Sequence, residues 1–525
     1  MKTAIIIDDS KVEYWQLQAL IECKKNINFC LILNCQNTSY KKYYYKNFFY
    51  YLGNYFFFNN KYRSKINIQN NNFLRIITTI DFKSNYHNQW QSLPTEIIEL
   101  LKKNKISTII KFGMGLLWIN KSYENIDILS YHHGDPSYFR GKAPCFYEIL
   151  LNYNYQGVIV QKINNNIDRG EILSEAKCKI YKNSYKRSLN NCYYNSIYIL
   201  NQAIINLKKE KQINKKFSNN IYTLPSNPLF LKFLLKLLFN VLNKIYFYLF
   251  FYRKWRIGNS KYLNIFTDIT LNQININTKE HLFFADPFFI NEDQILFEGY
   301  NFIKSKGEIL EMNLKNNDIK VVSHLNIHLS YPSLIKKNKD IFVLPEISKS
   351  DVPLFFNFNS NKLTYLDSIK IKGLEKFKIL DPTYLFHNKI NYIFCNLKNK
   401  PKEQLYIFYS NNFLGKYNSH KLNPVIIDIN KSRMGGNFII EQGRTYRIGQ
   451  NNSNEYGDGI VFNEIILLDK NNYIEKEVKI FNFNSKYGPH TNNVYKNKCD
   501  YDYYEIVFSF YSFIYRLNAF IRKVL

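Results

Sequence analysis

None of the eight cysteines (Cys23, Cys30, Cys35, Cys145, Cys178, Cys192, Cys395 and Cys499) stands in a CxxC pair, and no Cys/His cluster has zinc-finger spacing. No metal site is therefore expected. The start, Met1 to Asp9, reaches acid too early for a signal peptide. Free thiols in a reducing cytoplasm are the natural expectation. Acid is scarce overall. Asp plus Glu is 42 against 71 Lys plus Arg in 525 residues, a net charge of +29. No RNA-binding signature accompanies that charge. Weak hydrophobicity is also absent. At 46% hydrophobic and 17% aromatic residues, the chain is not of a disordered type. The abundance of Lys, Asn, Ile, Tyr and Phe carries the stamp of an A/T-rich genome, so their plain frequency carries little weight.

The basic excess is uneven. Residues 1–257 carry a net +22 and residues 258–525 a net +7. A basic half suits a phosphorylated substrate, an anionic membrane surface or nucleic acid, and a solvated Lys-rich surface gives the same count. Length and texture predict three parts: a first domain over 1–207, a linker with an amphipathic helix over 208–257, and a second domain over 258–525.

The first domain alternates strands and helices. Thr3–Ile7, Phe29–Leu33, Phe73–Ile80, Ser107–Phe112, Ile126–Ser130, Gly157–Lys162 and Glu171–Lys179 are expected as strands. Glu13–Cys23, Thr95–Lys103 and Leu189–Leu207 have helical spacing, and 40–72 has the look of an insertion. The alternation predicts an α/β Rossmann-like domain with a parallel sheet covered on both faces. Within the linker, 229–252 is apolar except for Lys232, Lys236, Asn240 and Lys244 at four-residue steps. That spacing puts one polar stripe on an apolar helix. Three lysines argue against a span, and Arg253-Lys254-Trp255-Arg256 follows. Contact of 229–256 with a membrane surface is one expectation, packing between domains the other.

From residue 282 the texture becomes strands and turns. Segments beginning Phe284-Ala285-Asp286-Pro287, Ser330-Tyr331-Pro332, Leu380-Asp381-Pro382, Gly435-Gly436-Asn437 and His490-Thr491-Asn492 recur at steps of 45, 50, 55 and 54 residues. Five such units predict an all-β five-bladed propeller. Asp286, Tyr331, Asp381, Asn437 and His490 would then converge at one end of its axis. Glu298 and Glu346, on second strands, are expected to turn away from it.

The segment richest in chemistry is Ser130-Tyr131-His132-His133-Gly134-Asp135-Pro136, ending at Arg140-Gly141. Ile167-Asp168-Arg169-Gly170-Glu171-Ile172-Leu173 follows, and His132 and Asp168 are 36 positions apart. Over about residues 1–205 the chain resembles the folate-dependent formyltransferases. That resemblance implies catalytic roles for His132 and Asp168. It places Ser130 where the family has Asn, and it makes Gly113-Met114-Gly115-Leu116 the lining of a pterin pocket. His133 and Asp135 are left open between shaping the loop and taking part in the chemistry.

The chemistry suits the residue types. A neutral amine attacks the formyl carbon of 10-formyltetrahydrofolate, so a proton must leave and an oxyanion must be held. Residues 282–495 resemble the N-terminal domain of plant glucosamine inositolphosphorylceramide transferases, which in turn resembles five-bladed glycoside hydrolases. This implies Asp286 and Asp381 as carbohydrate-binding positions. The expected whole is a formyltransferase acting on an amino-sugar substrate, nucleotide- or lipid-linked, in surface glycan synthesis. It would be cytoplasmic and membrane-associated through 229–256, without nucleic acid as partner. Two alternatives stand beside it: a carbohydrate-binding or glycan-processing protein with an inactive formyltransferase module, and a methionyl-tRNA formyltransferase-like enzyme.

Overall fold

The computed structural model describes all residues except 38–43, 277, 324, 348–349, 351, 360, 375–376 and 525, and no side chain at 44 or over 518–525. The chain divides into two compact units, Met1–Asn243 and Lys244–Leu525.

In the first unit, β1 (Lys2–Asp8), β2 (Asn28–Cys35), β3 (Thr78–Phe82), β4 (Thr108–Lys111), β5 (Asp127–His132), β6 (Tyr155–Lys162) and β7 (Glu171–Lys179) form the main sheet, in the order β7-β6-β5-β4-β1-β2-β3. The near-continuous Ile runs of β1 and β4 suit strands buried on both faces. Helix α1 (Tyr14–Cys23) and the long helix α3 (Tyr185–Lys208) pack together, with α3 also against β6 and β7. Helix α2 (Thr95–Lys103) contributes Ile97, Ile98 and Leu101 to a second cluster with Ala4, Ile6, Leu33, Ile109 and Ile128. The strand expected over 73–80 is displaced to Thr78–Phe82. The insertion holds a helix at Phe48–Phe56, while residues 40–43 lie outside the described ones.

The sheet is not wholly parallel. Strands β3, β2, β1, β4 and β5 run parallel, but β6 is antiparallel to β5 and β7 to β6. The reason is in the connections. The chain from β5 to β6 has only the short helix Phe146–Leu150, and β6 returns into β7 through 163–170. The 163–170 return is too short for the crossover that a parallel step needs, and the 133–154 segment holds one helix of five residues. The strand order reverses at β1: β2 and β3 lie on one side, β4 and β5 on the other. Open sheets bind ligands outside the carboxyl ends of their strands at such a reversal.

Part of the expected linker belongs to the first unit. Ile221–Tyr222 pairs with Arg140–Gly141, and Lys215 lies 3.2 Å from Asp135 and 2.5 Å from Glu175. Helix α4 (Asn227–Phe250) contains the division between the units. The strand Phe251–Lys261 pairs along its whole length with Lys498–Phe508.

Among the described residues the second unit contains five successive sheets, antiparallel except where Lys370–Ile371 pairs parallel with Lys416–Ser419. Their first strands are His281–Asn291, Leu329–Lys337, Ile379–His387, the interrupted Arg433–Met434 with Ile439–Glu441, and Asn492–Tyr495. In the first three, a β-bulge falls where the sequence repeat does. The residue before proline is left-handed there: Asp286 (φ 53), Tyr331 (φ 47) and Asp381 (φ 47). Bulges re-aim side chains and gather near functional sites. Hydrogen bonds near these points link four of the five pairs of neighbouring sheets, and between the first and second Phe288 packs edge-on to Tyr331 at 5.0 Å. The Tyr331 hydroxyl meets Thr383 Oγ1 at 2.9 Å, Gln450 Nε2 donates to Asp381, Asn437 N donates to Asn493, and Asn493 Nδ2 donates to the Pro287 carbonyl. A terminal helix, α5 (Phe510–Val524), follows the last strand.

Candidate functional site

The carboxyl edge of the first sheet carries the site. Registers Ile6↔Lys111 and Lys111↔Ser130 place Asp8, Lys111, Ser130 and His132 on one face, at the ends of β1, β4 and β5. His132 is buried. Its Nδ1 lies 3.3 Å from Asp168 Oδ1 and its Nε2 lies 2.9 Å from the Phe139 carbonyl. Both neighbours are acceptors, so both contacts are hydrogen bonds only when both ring nitrogens carry protons. The longer one, to Asp168, is the looser.

Asp168 is delivered by a latched loop. Its backbone is left-handed (φ 52), and its second oxygen accepts from Gly141 N at 2.8 Å. Arg140 is buried, and donates to the Ile167 carbonyl at 3.0 and 2.5 Å and to the Ser218 carbonyl at 2.8 Å. The Arg-Gly pair is thus what fixes the carboxylate against the imidazole. Gly134 is required for another reason. A Cβ there would come within 2.5 Å of His132 Nε2 and 2.6 Å of the Phe139 carbonyl oxygen. A small, shallow cleft beside these groups is lined by His132, Arg140, Gly141, Tyr147, Glu148 and Tyr222 among others.

His133 and Asp135 shape the loop. His133 packs edge-on to Trp15, stacks on Tyr131 and meets Ser196 Oγ at 3.1 Å. Burial, with the charges of His132 and Arg63, pushes it down to about 3. Asp135 accepts from Ser137 N, the Tyr155 hydroxyl and Lys215.

The pterin-pocket segment lies differently from expectation. Gly113 N donates to the Ile6 carbonyl and Met114 N to Asp8 Oδ1 at 2.9 Å, so these amides are already taken. A Cβ on Gly113 would come within 2.3 Å of Asp8 Oδ1. The glycine therefore serves close packing on β1 rather than the approach of a flat ring. The Met114 side chain is in the core, Gly115 is left-handed (φ 34), and Leu116 is partly exposed.

Lys111 was missed by sequence reasoning. It is 9% exposed, yet among the described residues its Nζ has no hydrogen bond or ion pair. Burial pushes its amine down to about 8, against the opposing pull of Asp8 and Asp168. Asp8 is itself raised by burial, against the Met114 amide and Lys111. A lysine interrupting the apolar run Thr108-Ile109-Ile110 was the available signal. An ammonium on a largely buried side chain, without hydrogen bond or ion pair among the described residues and beside a strand-order reversal, has the marks of a binding group.

The second unit gathers a different set. Asp381 is buried and paired with Arg433, receives Gln450 Nε2 at 2.9 Å, and donates its backbone N–H to Glu346 Oε2 at 3.3 Å. Burial raises its carboxyl, but Arg433 overcomes that and holds it below the usual range. Asp286 sits with His490 Nδ1 at 3.4 Å, and Asp286 Oδ1 accepts no hydrogen bond. Burial, opposed by His490, pushes Asp286 up to about 6. Contrary to expectation, Glu298 and Glu346 face these residues. Burial and the charge of Asp286 hold Glu298 well above its usual range, and burial and Asp381 push Glu346 up to about 8.

Asp286, His490 and Asp502 bring potential ligand atoms within 4.8 Å of one another. The Asp502 oxygens, however, already accept from Asp286 N, His490 N, His490 Nδ1 and Thr491 N. The three form a hydrogen-bonded network rather than a ready ligand set.

Residues 264–502 match the family described as glucosamine inositolphosphorylceramide transferase 1, N-terminal. The glucosamine inositolphosphorylceramide transferase 1 of Arabidopsis thaliana is 27% identical over 211 residues, covering 37% of this chain and 27% of that protein. The protein of the same name from Oryza sativa subsp. japonica is 28% identical over 160 residues, covering 29% of this chain and 21% of its own length. The chain thus spans about a quarter of the relatives it matches. Among solved structures, glycinamide ribonucleotide transformylase 1 from Symbiobacterium toebii aligns with a TM-score of 0.30 at 12% identity, covering 41% of this chain and 92% of that one. A sugar N-formyltransferase from Shewanella sp FDAARGOS_354 aligns with a TM-score of 0.27 at 14% identity, covering 42% and 76%. The second unit is therefore similar in sequence to the N-terminal part of a transferase family.

Proposed function

We propose that the chain is a formyltransferase. It moves a formyl group from 10-formyltetrahydrofolate to the amine of a nucleotide- or lipid-linked amino sugar, while the second unit, read as a five-bladed β-propeller, holds the carbohydrate. The observation that carries this is the meeting of His132 and Asp168, 36 residues apart, at 3.3 Å beside the unpartnered Lys111. The motif resemblance implied that meeting. The strand-order reversal puts it where open sheets bind ligands.

The donor, when bound, supplies an activated formyl group. Lys111 fits a group bringing an acyl oxygen, because its ammonium has no partner of its own. It holds the negative charge that grows on that oxygen, a role typically worth roughly 3–4 kcal/mol per donor. Ser130, its register neighbour, adds one hydroxyl on the same face. Asp168 and His132 take the proton that the acceptor amine loses as its bond to the formyl carbon forms, and pass it to the folate nitrogen that would leave as the carbon–N10 bond breaks; the carboxylate orients the imidazole, and their loose contact opens to admit the amine. Arg140, Gly141 and Gly134 keep this pair in register.

The names of the relatives pair glucosamine with a phosphorylated ceramide lipid, which supports an amino sugar and a lipid-linked acceptor here. Asp286, whose buried Oδ1 has only the looser contact with His490 Nδ1 at 3.4 Å, is the carboxylate we assign to a sugar hydroxyl. The test is incubation of the purified chain with 10-formyltetrahydrofolate and a panel of amino sugars, followed by mass spectrometry for the formamide. Formamide on at least one sugar is expected. No transfer to any amine, with no folate binding by calorimetry, would discard the reading.

A second reading is favoured by the second unit alone. Proton-holding Glu298 and Glu346 beside ionised Asp381 provide the acid and base of glycan processing. Release of sugar from a chromogenic glycoside panel, lost in Glu346→Gln, would establish it.

A further inference from the structure

Helix α4 is the most exposed apolar element of the chain. Only 6% of its most apolar eighteen-residue window is buried. Phe230 and Phe233 are its only buried residues, and Leu235, Phe239, Leu242 and Tyr248 are each more than half exposed. Soluble chains rarely leave a continuous apolar patch of this extent bare.

The helix contains no acidic residue and three lysines, Lys232, Lys236 and Lys244. Arg253, Lys254 and Arg256 follow directly. Helix α5 repeats the pattern: Tyr511 and Tyr515 are more than three-quarters exposed, and its sequence carries Arg516, Arg522 and Lys523 without acid.

The helix is long and apolar enough to cross a membrane, but it is fastened along its length. At its start the Asn227 side chain accepts from Phe49 N, and Phe233 stacks on Phe146 at 4.2 Å. In its middle Asn240 Nδ2 donates to the Lys182 carbonyl at 2.8 Å. At its end Phe250 stacks on Phe513 at 4.9 Å, and the Arg516 guanidinium lies over the Tyr248 ring at 4.6 Å. A span would have to shed folded protein from its middle. A helix lying in the interface presents its apolar face to the lipid without shedding these ties.

We infer that α4, continued by α5, docks the chain in the plane of a bilayer whose surface carries anionic headgroups. The charge complementarity selects the occupant: the helices themselves carry basic residues and no acid, Arg253 at the edge being paired with Glu455, and this matches an anionic lipid surface and mismatches a second copy of this basic chain.

The experiment is flotation of the full chain with vesicles of phosphatidylcholine alone or with one-third phosphatidylserine. Binding to the mixed vesicles is expected, at least tenfold stronger than to the neutral ones, and released by alkaline carbonate. Leu235→Asp with Leu242→Asp, both at exposed positions, should reduce it at least tenfold with the circular dichroism unchanged. Lys236→Gln with Lys244→Gln should reduce it several-fold and weaken its salt dependence. Equal binding to both vesicle types, binding unaffected by the Leu variants, or retention after carbonate would overturn the inference. So would a lipid-free dimer that the Leu variants dissociate in the absence of any vesicle binding.

Discussion

The two units place their polar groups by opposite devices. In the first, strands end and loops bring the partner: Asp8, Lys111 and His132 close β1, β4 and β5, and Asp168 arrives on a latched turn. In the second, strands begin with a bulge that turns Asp286, Tyr331 and Asp381 inward. The consequence shows in how far each set is satisfied. Lys111 is unpaired, and the His132–Asp168 contact is loose. By contrast, Asp381 has its oxygens taken by Arg433 and Gln450 of the next sheet, and Asp502 by Asp286 N of a neighbouring sheet and by His490 and Thr491 of its own. Polar groups left open are available to a reagent, whereas those closed on each other hold sheets together. The first set should therefore cost activity when removed, and much of the second should cost stability.

The sharpest way to break that contrast is to remove one group from the first set. His132→Gln or Asp168→Asn should slow formyl transfer about 10²–10⁴-fold, with folate affinity and melting temperature nearly unchanged. Lys111→Met should slow it about 10²–10³-fold. If either His132→Gln or Asp168→Asn unfolds the first unit while residual transfer per folded molecule stays high, the division of labour is wrong.

The counterpart is Arg433→Leu in the second unit. It strands the Asp381 carboxylate in a buried place and should cost about 3–5 kcal/mol of that unit's stability. Calorimetry of the full chain should show the second unit's transition falling while the first stays put. Formyl transfer to a small free amino sugar should survive below the new transition. Loss of both transitions together would mean that the units do not melt independently.

The titrations tilt in opposite directions. Lys111 has its amine lowered to about 8, so the unfolded chain binds the extra proton between there and its ordinary value near 10.5. The first unit should gain stability as pH rises through that window, by at most about 1.4 kcal/mol per pH unit. Glu346 is raised to about 8 from its ordinary 4.5, so the folded chain holds the proton, and the second unit should lose stability as pH rises from 4.5 to 8. Lys111→Met should flatten the first slope, and Glu346→Gln the second. Slopes of the same sign in wild type would refute one of the two assignments.

What the sequence could reveal followed from period and motif. The strand series, the five-fold recurrence around Asp286, Tyr331 and Asp381, and the pairing of His132 with Asp168 all repeat or match at fixed spacing. What it hid depends on contacts across strands. Lys111 looked like one residue of a strand, because only the register with Ser130 shows that it ends at the site. Glu298 and Glu346 looked outward because a bulge in the first strand, opposite them, resets which face a second-strand residue shares. Met114 looked like pocket lining, because the hydrogen bond that Asp8 makes to its amide is invisible in a linear reading.

The smallest effect tests the finest part of the comparison. Ser130 stands where the resembled family carries an asparagine, so loss of the amide looks like a lost donor. If Lys111 already supplies the positive charge at that place, restoring the amide with Ser130→Asn adds a neutral donor beside a charged one. Charge-assisted hydrogen bonds are roughly twice as strong as neutral ones, so transfer should change less than about tenfold in wild type. In the Lys111→Met background no ammonium competes, and the same substitution should recover a larger share of the lost rate. A gain of equal size in both backgrounds, measured as a double-mutant cycle, would show that the two side chains act apart and that Lys111 serves some other step.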